Sequence, residues 1–248
     1  MPKDSKVRKY AKRYRPYQRK KYRRSMVRTA NNSSASLPGL SVPRGINGFP
    51  MEIRTTLKYC DSIQLNSASG AIDKYVFRMN SLFDPDFTGT GHQPYYFDQY
   101  AGIYGRYCVI GSKLTAEFST VPEEINHAAI SVLNGPIVCC VWGDPTSTNT
   151  STLSTALEVN TSQSRLISGG NGGNNTCTLS TTYSPETKLG LSNGDDTVTA
   201  GVTGSPSQVW YGVVAIADTG VSIDTDVIVK ITMEFRVRFF QLTDVTGS

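Results

Sequence analysis

The chain has 248 residues and a formal net charge of +5, but that charge is unevenly placed. Residues 1–28 carry thirteen Lys and Arg against one acid, Asp4, so this segment is +12 and everything after it is −7. A block of like charge at a terminus repels itself, does not fold alone and serves as an interaction tail. No run of about 18 apolar residues is present, so no membrane insertion is expected. The basic start is not followed by an apolar stretch, which argues against a secretory signal. Four Tyr, Pro16 and few Ser argue against an organelle transit peptide. Cys60, Cys108, Cys139, Cys140 and Cys177 form no CxxC pair and predict buried thiols in a reducing compartment rather than a disulfide frame or zinc site.

Three segments are expected in chain order: a basic arm over 1–30, a flexible spacer over 31–50 and a single β domain over 51–248. The arm supplies Lys3, Lys6, Arg8, Lys9, Lys12, Arg13, Arg15, Arg19, Lys20, Lys21, Arg23, Arg24 and Arg28 as candidate nucleic-acid contacts. Arginine forks pair with phosphates and lysines add mobile charge. Tyr10, Tyr14, Tyr17 and Tyr22 are interleaved with them, either as platforms for unpaired bases or merely as spacers between charges. Pro16 disfavours a continuous helix there, so the arm is read as disordered. Its densest piece, residues 19–24, also has the composition of a nuclear import signal. The spacer is rich in Asn, Ser, Gly and Pro and reads as irregular tether.

Beyond residue 50 the dominant period is two. Near 53–60, Ile53, Leu57 and Tyr59 oppose Arg54, Thr56 and Lys58, and a second strand is expected at 72–79. Near 107–118 the even positions Cys108, Ile110, Leu114, Ala116 and Phe118 are read as the apolar face. The runs 137–142 and 209–217 are apolar at successive positions and predict strands buried on both faces or at subunit contacts. A further strand is expected at 176–183, with short helices at 93–100 and 151–159 and loops at 143–155 and 168–176. The last strand is the clearest: Val227, Val229, Ile231, Met233, Phe235, Val237 and Phe239 alternate with Lys230, Thr232, Glu234, Arg236 and Arg238. About eight such strands predict an all-β fold of two packed antiparallel sheets, with an eight-stranded jelly-roll sandwich the leading topology.

Chemistry is harder to find. His92 and His127 are the only histidines and neither lies in a recognisable motif, so each is read as structural or surface. Asp84-Pro85-Asp86 followed by Phe87-Thr88-Gly89 lacks the later ligands of a calcium loop and reads as a turn. No phosphate-binding glycine loop, GxSxG or HExxH occurs. The expectation is therefore no enzyme, no cofactor and no metal.

The stretch Phe83-Asp84-Pro85-Asp86-Phe87-Thr88-Gly89-Thr90-Gly91-His92-Gln93-Pro94, then Phe97-Asp98-Gln99-Tyr100 and Tyr104-Gly105-Arg106-Tyr107-Cys108-Val109, is wording that, joined to the arm, resembles a known group. It is similar to capsid proteins of small circular Rep-encoding single-stranded DNA viruses, the circovirus-like group. The resemblance implies a jelly roll whose copies, about sixty of them, close into a small icosahedral (T=1) shell by self-assembly. It implies an arm turned inward onto a single-stranded DNA genome, which also engages a host nuclear import receptor. Localisation would be the virion, and the host nucleus during assembly; the attachment receptor is not readable.

In related shells one sheet faces inward, built from the first, last and third strands plus one more. Here that sheet would present Arg54, Lys58, Lys113, Lys230, Arg236 and Arg238, diluted by Glu117 and Glu234, either to a genome or simply to solvent. The segment from 84 to 107 would be a loop and short helix between the second and third strands. Its Phe87, Tyr95, Tyr96, Phe97, Tyr100 and Tyr104 are candidates for subunit contacts, or else cap the open end of the sandwich. Other readings are a coat protein of a small RNA or satellite virus, a cellular nucleic-acid-binding β-sandwich module, and an enzyme with a transit peptide.

Overall fold

The computed structural model describes residues 48–67, 71–120, 136–146, 151–168, 174–219 and 225–243. The arm, most of the spacer and His127 lie outside the described residues. The elements in chain order are β1 (Glu52–Ser67), β2 (Ile72–Arg78), α1 (Phe97–Ala101), β3 (Tyr104–Thr120), β4 (Pro136–Asp144), α2 (Leu153–Glu158), β5 (Gln163–Ser168), β6 (Thr176–Tyr183), α3 (Pro185–Lys188), β7 (Thr199–Gly201), β8 (Tyr211–Asp218) and β9 (Thr225–Leu242).

β9 is the spine. Its odd residues from Val227 to Phe239 are all fully buried, while Ile228, Lys230, Glu234 and Arg236 lie exposed on the other side. It pairs antiparallel with β1 along one edge and with β3 along the other. β6 then pairs with β3, giving the order β1-β9-β3-β6, and the three-residue β7 adds to the start of β3. The second sheet runs β2-β8-β4-β5, also antiparallel throughout. Apart from the short β7, two sets of four strands in these orders define a jelly roll. Nine strands are seen among the described residues against about eight expected; the extra one is the short β7.

Leu57, Tyr59, Leu65, Phe77, Leu114, Phe118, Val141, Val214 and Ile216 meet the buried face of β9 in one core between the sheets. Each large side chain closed off from water there contributes about 1.5–3 kcal/mol. The apolar runs at β4 and β8 are buried on both sides, as their composition predicts. Ile137, Cys139 and Val141 face the main core, and Cys140, Trp142, Val213 and Ala215 face outward. α2 covers that outward face with Ala156, and Leu153 and Val159 pack beside it. Thr152 starts α2 by accepting a hydrogen bond from the Thr155 amide through its hydroxyl.

Two expectations need correction. The period of β3 does not keep one phase over 107–118, because a bulge between Val109 and Gly111 shifts it. Before the bulge Tyr107 and Val109 enter the core; after it Leu114, Ala116 and Phe118 do. Cys108 consequently lies on the opposite face, opposite Arg238 and Thr199, where burial pushes its thiol pKa up against the pull of the Arg238 charge. The cysteines are free, but Cys60 is exposed rather than buried.

The two sides of β9 differ in what they hold, and stability should report it. Phe235→Ala is expected to cost about 3–5 kcal/mol in equilibrium denaturation of the unassembled subunit. Glu234→Ala, one residue away on the open face, removes only an exposed 3.6 Å pair with Lys58 and should cost no more than about 1 kcal/mol.

Candidate functional site

Two surfaces carry the sequence-predicted residues. The first is the outer face of the β1-β9-β3-β6 sheet, which no element among the described residues covers in the way α2 covers the other sheet. Register places Arg54, Lys58, Arg106, Lys113, Lys230, Arg236 and Arg238 on it, together with Glu52, Glu117, Asp226 and Glu234. Seven bases against four acids leave the face positive. All six inner-face candidates share it; Arg106 was not among them. The signal for Arg106 is weak, because it stands before the bulge, where the β3 alternation runs in the other phase.

These bases are not equivalent. Lys230 pairs with Glu117 at 3.1 Å, Arg54 with Glu52 at 3.1 Å and Arg106 with Asp196 at 3.1 Å, all at exposed positions where such pairs are weak and easily exchanged. Arg238 is more committed. Its side chain is only 21% exposed, Nη1 lies 3.9 Å from Glu52, Nη2 donates to the Asn193 carbonyl at 3.3 Å, and its guanidinium lies 4.7 Å from the Phe240 ring. Lys113 and Arg236 form no ion pair with any described residue and are exposed. Arg236 lies across Gly111, where a Cβ would stand only 2.5 Å from its Nη2, so the glycine at the bulge makes room for the guanidinium. The rest of the face is hydroxyl-rich: Thr176, Thr178, Ser180 and Thr182 of β6 lie in register with Ser119, Glu117, Thr115 and Lys113.

The second surface is the loop between β2 and β3, and it explains the motif. Arg78, the last residue of β2, is its hub. Nη1 reaches the Asp84 carboxylate at 2.6 Å and the carbonyls of Asp84 and Asp86 at 3.1 and 2.8 Å. Nη2 donates to the Phe87 carbonyl at 3.2 Å, and the guanidinium lies 5.0 Å from the Phe87 ring. Asp86 is buried and accepts from the Tyr75 and Thr88 hydroxyls and the Thr88 amide, which is the turn read from the sequence. Gly89 has φ +76°, and a Cβ at Gly91 would stand 2.6 Å from Asp86 Cβ and 3.0 Å from the Tyr59 hydroxyl. His92 then stacks on Tyr59 with ring centres 4.5 Å apart.

This scaffold sorts the six aromatic candidates. Tyr95 and Tyr96 are 76% and 60% exposed, with their rings 4.6 Å apart edge to face. Phe87 is partly exposed against Tyr211. Phe97 and Tyr104, by contrast, are buried: Phe97 packs on Tyr107 and Phe239, and the Tyr104 hydroxyl donates to the Pro50 carbonyl. Tyr100 is half-buried and stacked on Phe239 at 4.9 Å. These three therefore close the end of the sandwich and are corrected from contact candidates to core. The helix itself is shorter than expected, Phe97–Ala101, because Tyr96 stands at its start with φ +71°, outside helical geometry. Among the described residues no group of three or more His, Cys, Asp or Glu is placed to hold a metal ion.

With strand order and both surfaces in view, the chain is a jelly-roll β-sandwich. No protein-family description matches it, and no curated protein matches it in sequence. Solved structures with a similar course include Desmodium yellow mottle tymovirus, at 10% identity, 86% of this chain, 100% of that chain and a TM-score of 0.38. Cocksfoot mottle virus aligns at 12% identity over 85% of this chain and 94% of that one, with a TM-score of 0.44. The decameric BFDV capsid protein aligns at 12% identity over 76% and 99%, with a TM-score of 0.38. The fold assignment rests on the strand order, not on these likenesses.

The loop geometry separates neighbouring residues sharply. Phe97→Ala should cost about 3–5 kcal/mol, whereas Tyr96→Ala should change stability by no more than about 0.5 kcal/mol. Arg78→Lys keeps the charge but loses the fork and should cost about 2–3 kcal/mol. Urea titration of the three variants checks all three values.

Proposed function

We propose that this chain is a coat-protein subunit that self-assembles into a small icosahedral shell and packages a single-stranded circular DNA genome. The observation that carries the reading is the placing of charge in two tiers on an otherwise acidic chain. The arm holds +12, and the sheet face that no described helix covers holds Lys113 and Arg236 exposed without acidic partners among the described residues. A run of Lys and Arg neutralises phosphates by releasing counterions, without regard to sequence. The arm's Tyr10, Tyr14, Tyr17 and Tyr22 suit unpaired bases, because an aromatic ring can stack on any base. The sheet face offers a second, fixed layer of guanidinium, ammonium and hydroxyl groups that can meet the packaged strand. The exposed pair Tyr95 and Tyr96, and separately the partly exposed Phe87, supply aromatic surface for contact between copies. The wording over 83–94 supports the circovirus-like version of this reading. The basic piece at 19–24 supports delivery to the host nucleus by an import receptor, with the virion as final location.

The test is expression of the full chain and of a chain lacking residues 1–28, each sized, imaged by negative stain and measured at 260 and 280 nm. Uniform small shells whose nucleic acid is lost with the arm are the expected result. A monodisperse monomer at all salt concentrations would overturn the shell, and RNase-sensitive rather than DNase-sensitive contents would overturn the cargo. If all twelve net charges engage a single strand, binding should weaken with salt at a log–log slope of up to about 8.

A further inference from the structure

The motif residue His92 has a geometry that neither turn formation nor packing requires. Its Nδ1 lies 2.8 Å from the Gln93 carbonyl oxygen and its Nε2 lies 2.9 Å from the carbonyl oxygen of Cys60 on β1. A carbonyl oxygen only accepts, so each ring nitrogen must donate. A neutral imidazole carries one N–H; only the imidazolium carries two. We infer that protonated His92 is a clasp that ties the β2–β3 loop to β1 and holds the Tyr95–Tyr96 pair in place, so that order in this loop depends on pH.

The groups facing His92 fit that role. From β1, the Tyr59 ring lies against the imidazole, and Asp61, which accepts from the Tyr59 hydroxyl at 2.9 Å, is the nearby negative charge. Within the loop, Asp86 sits beside Gly91, the residue before His92, and takes the Tyr75 hydroxyl. From α1, Asp98 shares the rim of the shallow cleft lined by His92, Pro94, Tyr95 and Tyr96. Burial pushes the Tyr59 and Tyr75 phenols up, so both stay neutral donors. No cation among the described residues enters this set. The bond to the Gln93 carbonyl, then that to Cys60, and the charge of Asp61 raise the His92 pKa above its ordinary 6.5, with partial burial opposing. A raised folded-state pKa contributes stability that is complete below the unfolded value and is lost as pH rises through the folded one.

The clasp has something to hold. Tyr96 keeps a left-handed φ of +71°, a conformation costly for a residue with a Cβ and stable only where its surroundings enforce it. Phe97 anchors the loop on one side of that residue and His92 does so on the other. Gln93 adds a bond from Nε2 to the Phe83 carbonyl at 3.1 Å, which closes the motif on itself but does not reach β1. Of these bonds, only the one from His92 Nε2 to Cys60 joins the loop to the sheet edge.

The consequence for assembly rests on the proposed subunit contact at Tyr95 and Tyr96, and the experiment separates the two. Hydrogen exchange of the full chain, corrected for intrinsic rates, would follow peptides over 83–100 from about pH 5.5 to about pH 8.5. The wild type is expected to lose protection there as pH rises, while peptides from β9 do not. His92→Phe, which keeps the stack, should be unprotected at every pH, and His92→Gln, which keeps one donor, should show partial protection without pH dependence. Wild-type protection that ignores pH, or a pH response that survives in His92→Phe, overturns the clasp. Particle yield measured across the same range reads the other half. Protection that follows His92 while yield stays constant upholds the clasp and removes Tyr95 and Tyr96 from the subunit contact.

Discussion

The structure depends on one strand carrying two incompatible chemistries. β9 places seven apolar side chains in the core and, on the alternate positions, the charges of the open sheet face. Strand geometry alone enforces that separation, since successive residues point to opposite sides. Pairing on both edges with β1 and β3 passes the same division to its neighbours, so Lys58, Glu234 and Lys113 fall in one row and Tyr59, Met233 and Leu114 in the next. A slip of one residue would put Lys230 and Arg236 into the core and Met233 and Phe235 into water. The positive face and the hydrophobic core are thus two results of one register.

The β2–β3 loop works on another principle. Met79, Leu82 and Phe97 pin its two ends in the core, and the turn at 84–87 between them is shaped by a single guanidinium. Arg78 gathers one carboxylate and three carbonyls from residues 84–87, and the Asp86 carboxylate it helps to place then organises Tyr75 and Thr88. Glycines stand where the chain turns left-handed or passes within contact of Asp86 and Tyr59. Most of the motif is therefore framework. What the framework displays is the short stretch after it, where Tyr95 and Tyr96 turn outward and Phe97 turns in.

How far the sequence foretold this varies with the physical signal. Strands with one wet and one dry face, such as β1 and β9, print that division as alternation and were legible. So were β4 and β8, whose unbroken apolar runs correspond to cover on both faces. β5 was not, because it is an exposed edge strand with only Ile167 buried, and its Gln, Ser and Arg leave no alternation to assign. β7 is three residues long and exists only by pairing with β3, which leaves no period to detect. The bulge at Val109–Gly111 hid the true phase of β3, because Cys108 and Ile110 happen to be apolar on the side opposite the core. In the loop, composition marks six aromatic side chains but not their direction. Tyr104 and Tyr107 bury their rings while their hydroxyls reach backbone carbonyls, a combination that composition does not distinguish from an exposed tyrosine.

The cover that α2 lays over β4 and β8 has a bearing on how the chain is made. β8 reads Tyr-Gly-Val-Val-Ala-Ile-Ala-Asp, a segment of high β-propensity whose only charge is at its end, the kind that associates with its own copies when left bare. Its edge partners β2 and β4, the strands β1 and β3 across the core, and α2 over its back all precede it in the chain. Only β9 follows. During synthesis, then, this adhesive strand emerges after most of the slot that receives it, and its exposure to other nascent chains is kept short by chain order.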